Sequence, residues 1–115
     1  MAVLHLVSHS PADSSALARC LASAGEGDAV LLIEDAIYAA AEGSKWGETL
    51  RSAEPRVAVH VLTSDLEARG LEMGSPASHA QEEKPGQAVS SGFRPVDYRG
   101  FVELTTTHHP IVSWI

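Results

Sequence analysis

One cysteine, one acidic pair and six histidines are the residues of this 115-residue chain whose types lend themselves to chemistry. Cys20 is the only side chain able to attack sulfur or carry a persulfide, since the thiolate is the nucleophile in such transfers. Its setting reads two ways. It falls in mid-helix, away from the N-terminal dipole that lowers a thiol pKa, and shares a helical face with Leu17 and Leu21. A free cysteine so placed also serves as a small buried hydrophobe. Arg19 points about 100° away around the same helix and is a poor activator.

Glu34 and Asp35 follow an apolar run that reads as a buried strand. Open α/β sheets bind ligands at the carboxyl ends of their strands, so either carboxylate is a candidate there. An acidic pair at the start of a helix also simply favours its N-terminus. Gly25-Glu26-Gly27 has the wrong spacing for a phosphate loop, leaving little support for a nucleotide site. Among His5, His9, His60, His79, His108 and His109 the close pairs are His5 with His9 and His108 with His109. Adjacent helical side chains diverge, and the chain carries neither a cysteine pair nor an HExxH pattern. No metal and no cofactor is therefore expected. His5 reads as a hydrogen-bonded core or interface group. Trp114 either docks on its own domain or anchors a partner.

The elements that position these groups follow from the apolar pattern. Residues 3 to 7 read as a first strand, and the spacing predicts a helix from about Pro11 to Ala24, opened by Ser10 as N-cap and striped by Leu17, Cys20, Leu21 and Ala24. Ala29 to Ile33 lack polar alternation, as strands of a parallel sheet covered on both faces do. Short helices are expected over 36–41 and 45–52, a third strand over 57–62, and a brief helix through Ala68 capped by Ser64-Asp65. Residues 72 to 92 are rich in Gly, Ser, Pro, Gln, Glu and Lys and read as a mobile surface loop. A short strand over 93–96, a helix capped by Asp97 with its stripe on Phe101, Leu104, Thr105 and His108, and a last edge strand over 111–115 complete the pattern. The alternation predicts a single three-layer α/β/α domain over residues 1–115 with a mostly parallel sheet.

Composition narrows the function classes. Eight Lys and Arg against 15 Asp and Glu give a net charge of -7 without a dense basic cluster. Direct binding to nucleic acid is disfavoured, because phosphate neutralisation requires positive charge on one face. No apolar run approaches the roughly 20 residues of a membrane helix. The amino terminus reads as a strand and not an export signal. A cytoplasmic protein is expected, and a lone cysteine makes no intrachain disulfide.

Leu4-His5, Ser10-Pro11, Glu26-Gly27-Asp28, Leu31-Leu32-Ile33-Glu34-Asp35, Tyr38-Ala39-Ala40, Asp65-Leu66-Glu67-Ala68-Arg69-Gly70-Leu71, the stretch from Asp97 to Thr105 and the closing Ser113-Trp114-Ile115 stand in this order along the chain. Together they resemble the DsrH/TusB family of small sulfur-relay subunits, over nearly all of the chain outside residues 72–92. The resemblance implies a DsrE-like fold and an accessory place in a heterohexamer with two related DsrE/DsrF-like (TusD/TusC-like) subunits. Sulfur would then pass to a DsrC/TusE-type carrier, for 2-thiolation of tRNA wobble uridine in the TusB branch or for sulfur oxidation in the DsrH branch. Cys20 matches a cysteine of the DsrH branch, which makes it a candidate secondary persulfide acceptor. Ala36 departs from the glycine that the pattern generally carries after the acidic pair, and the 72–92 segment is longer than usual. The residues alone also admit a stand-alone domain binding a small ligand through Glu34 and Asp35, or a sulfurtransferase acting by itself through Cys20.

Overall fold

A computed structural model describes residues 2–41, 44–53, 56–73, 88–89 and 93–114. Seven strands are found among them: β1 (Leu4–Val7), β2 (Ala29–Leu32), β3 (Ala58–Leu62), β4 (Glu72–Met73), β5 (Ala88–Val89), β6 (Arg94–Val96) and β7 (Ile111–Trp114). Four α-helices accompany them: α1 (Ala16–Ser23), α2 (Gly47–Ala53), α3 (Thr63–Ala68) and α4 (Tyr98–Thr107), with a 3-10 helix over Glu34–Ala40. Five strands form one sheet in the order β6-β3-β2-β1-β7, and every pair in it is parallel. The expected α/β fold with its parallel sheet is the observed one.

The order of the strands decides which helix covers which face. From β1 the chain steps through β2 and β3 to β6 in one direction, then returns across the sheet through α4 to lay β7 beside β1. Parallel crossovers are right-handed, so reversing the direction of travel places the returning helix on the opposite face. One face accordingly packs Val7, Val30, Leu32, Val59 and Val61 against Leu17, Cys20, Ile37, Leu50 and Leu66. Burial of each large aliphatic group there contributes roughly 1.5–3 kcal/mol. The other face is a smaller cluster of Leu4, Ala29, Leu31 and Leu62, with Phe101 and Leu104 of α4 packed on it.

Several local expectations shift for identifiable reasons. Helix α1 starts at Ala16 and not at Pro11. Ser10 and Ser14 hydroxyls accept from the backbone N–H groups of Ala12 and Ala16, at 3.2 and 3.0 Å, and hold the preceding residues in a turn. Such local bonds offer the backbone an alternative to the helix. Helix α3 follows Leu62 without a side-chain cap, because Asp65 Oδ2 accepts instead from the Glu34 backbone N–H at 2.6 Å. Asp97 does cap α4, accepting from Gly100 N at 2.8 Å. The mobile loop expected over 72–92 lies mostly outside the described residues, as does His79; at its two ends β4 and β5 pair in parallel. No helix among the described residues is long and apolar enough to cross a membrane.

Candidate functional site

The buried polar groups of the described core are His5 and Asp28, and they touch. His5 Nε2 lies 2.9 Å from Asp28 Oδ2. The strand register explains the meeting: Leu4 pairs with Ala29, so a residue just ahead of β2 lies beside the start of β1. Asp28 also accepts from Gly25 N at 2.9 Å and from Val3 N at 3.0 Å, which ties the turn before β2 to the first strand. Burial alone would push the carboxyl up; the bonds from Gly25, His5 and Val3 outweigh it and hold Asp28 below the usual carboxylate range.

On the other side of the imidazole, the Trp114 indole Nε1 donates to His5 Nδ1 at 3.0 Å. An indole N–H can only donate, so Nδ1 must present a lone pair and the ring proton sits on Nε2, aimed at Asp28. The result is a directed chain from Trp114 through His5 to Asp28, the last group being the acceptor. Arg19 of α1 lies over the Trp114 ring, 5.9 Å from its centroid. Trp114 therefore docks on its own chain, packed against the cluster that contains Cys20.

Cys20 is fully buried on the inner face of α1. Desolvation, and after it the negative charge of Asp28, pushes its thiol up to about 12. In this conformation the sulfur is a neutral, packed group. Nucleophilic or persulfide chemistry at Cys20 requires the α1 face to open.

At the strand end, Asp35 is engaged through its carboxylate by Arg69, and Glu34 is bonded through its backbone N–H to Asp65. Glu34 sits at φ 51, a left-handed conformation that costs a residue with a side chain roughly 1 kcal/mol. Asp35 Oδ1 accepts from Arg69 Nε at 2.9 Å, and Asp65 Oδ1 is 3.8 Å from Arg69 Nη1. Among the described residues no group of three His, Cys, Asp or Glu side chains is arranged to hold a metal ion. His5 and His9 are not brought together: His5 is buried and His9 is exposed.

The second face of the sheet carries the other distinctive surface. Among the described residues α4 alone covers it, and no residue of α4 is fully buried. The expected stripe of Phe101, Leu104, Thr105 and His108 does turn inward, each being half-buried. Tyr98 and Val102, one turn apart, stay 61% and 59% exposed, and Ile111 on β7 is 44% exposed. His60 lies on this face between Leu31 and Arg94 in the sheet register. Its Nδ1 is buried without a hydrogen-bond partner among the described residues. Desolvation first, then the charges of Arg94 and His108, lower its pKa to about 4.

The sequence singles out Cys20, His5 and Trp114 and gives Asp28 no role of its own. The available signal was a polar residue at the mouth of each of two neighbouring apolar strands.

Residues 9–111 match the family model described as DsrH like protein. The chain is 38% identical over 114 residues to Protein TusB of Shigella sonnei (strain Ss046), covering 97% of this chain and 100% of that protein. It is 37% identical over 114 residues to Protein TusB of Escherichia coli O139:H28 (strain E24377A / ETEC), with the same coverage.

Proposed function

The chain belongs to the DsrH/TusB family, and from that premise we propose that it is an accessory subunit of a cytoplasmic sulfur-relay complex. Its main role in this reading is to complete the assembly with two related DsrE/DsrF-like subunits, which hand sulfur to a DsrC/TusE-type carrier. The delivered sulfur serves tRNA 2-thiolation or sulfur oxidation. The observation that carries the assembly role is the thinly covered second sheet face, with Tyr98 and Val102 exposed one turn apart on α4 and Ile111 exposed on β7. Exposed apolar groups on a helix that covers a sheet face thinly support an interaction surface there. The acid-rich charge balance supports a subunit that acts on a protein carrier and leaves tRNA to a downstream enzyme.

Cys20 enters this reading as a secondary persulfide acceptor that acts only when the complex opens the α1 face. The burial of its sulfur favours the structural role in the isolated chain. The deciding experiment is the native mass of the protein purified from its own cells without reductant, with the accompanying chains identified. Two further small α/β chains in one complex support the proposal. A lone monomer or homodimer removes it and returns attention to the carboxylates at the strand ends.

A further inference from the structure

We propose that the Trp114–His5 hydrogen bond is a proton-operated latch on the outer edge strand β7. The inference stands on geometry and is independent of the sulfur-relay reading. Among the described residues strand β7 has one neighbour, β1, so its far end is held by that ladder and by whatever its side chains grip. The grip is the indole: Trp114 Nε1 donates to His5 Nδ1 at 3.0 Å, and Arg19 faces the same ring. Because the indole offers only a hydrogen, the bond exists only while Nδ1 is unprotonated. A proton taken from water onto Nδ1 sets two N–H groups against each other, and the indole must leave. The imidazolium stays in place, since Nε2–H still donates to Asp28 Oδ2 and now forms a charge pair with it.

The groups facing His5 fit a switch. Asp28, from the turn before β2, supplies the negative partner that a protonated ring needs. From α1, Cys20 is neutral, and Arg19 brings a positive charge to the outer side of Trp114. Arg56 is held on the Ala24 carbonyl at 2.5 Å, beside the same turn. A positive His5 is thus held on Asp28 and repels the indole N–H, so protonation separates imidazole from indole. Release loosens Ser113–Trp114 and uncovers part of the cluster that contains Cys20.

The test follows the Trp114 indole N–H resonance of the full, nitrogen-15-labelled chain from pH 8 to pH 5, assigned with a Trp46→Phe variant. The expected result is loss of the hydrogen-bonded shift in step with His5 ring titration, with exchange of the indole proton quickened about tenfold, the worth of one hydrogen bond. In His5→Gln, whose amide does not titrate, the resonance stays constant over the same range. A wild-type indole that does not respond while the His5 ring titrates overturns the proposal, and so does an identical response in His5→Gln. If that variant does not fold, the wild-type ring nitrogens decide: a proton on Nε2 at pH 8 with an acid-responsive indole supports the latch, and a proton on Nδ1 at pH 8 sinks it.

Discussion

Trp114 and His5 stand 109 residues apart and share one hydrogen bond, 3.0 Å from indole Nε1 to imidazole Nδ1. Through His5 the bond continues to Asp28, so the final strand, the first strand and the turn before the second are joined by side chains as well as by the sheet. Each link restricts the next. The donor-only indole fixes the imidazole tautomer, and the tautomer points its proton at the carboxylate.

Asp28→Asn is expected to destabilise the protein by about 2–3 kcal/mol, the range for losing a charged partner in buried hydrogen bonds. Urea unfolding at pH 7 measures it. The sign with pH follows from the lowered pKa: the wild-type advantage is fully present above the ordinary carboxylate range near 4 and is lost as pH falls through the still lower folded value. The gap between wild type and Asp28→Asn should therefore close only below about pH 4. A gap that closes near pH 6 assigns the effect to another group.

His60 predicts a separate acid sensitivity at milder pH. Its folded pKa, about 4, lies below the ordinary 6.5, so the unfolded chain binds a proton first. Stability is full above the ordinary value and falls as pH drops from there toward 4, with a slope of at most about 1.4 kcal/mol per pH unit. His60→Gln removes that slope. Unfolding curves collected between pH 7 and pH 4 on both proteins check it, and parallel curves refute the assignment.

Cys20 should label slowly in the native chain. With its thiol pushed up to about 12, the thiolate fraction at pH 8 is roughly a thousandfold below that of an ordinary cysteine. Trp114→Ala uncovers part of the neighbouring core and should quicken labelling, whereas addition of denaturant should make it stoichiometric at once. Rapid labelling of the untouched native chain contradicts the buried reading and favours a reactive sulfur.

Val102→Glu tests the exposed face of α4. The side chain is 59% exposed, so the change should move the stability of the isolated chain by no more than about 0.5 kcal/mol. In cells it should abolish co-purification of partner chains, because a charge at the centre of an apolar contact is left unpaired. Unaltered co-purification places the assembly surface elsewhere.

Periodicity alone was enough to read the alternation of strands and helices, the stripe on α4 and the Asp97 cap, because those features depend on residues within a few positions of one another. It was weaker at the start of α1, where the Ser10 and Ser14 hydroxyls compete with the helix for backbone N–H groups, and at Asp65, which bonds to a residue 31 positions away. The sequence by itself determined the class of fold, the acidic surface and the family resemblance. Only the tertiary structure decided that Trp114 binds its own domain, that Asp28 turns inward and that Cys20 is sealed on the inner face of α1. Each of these depends on the register between strands distant in the chain, and no local pattern encodes which residues a parallel ladder sets side by side.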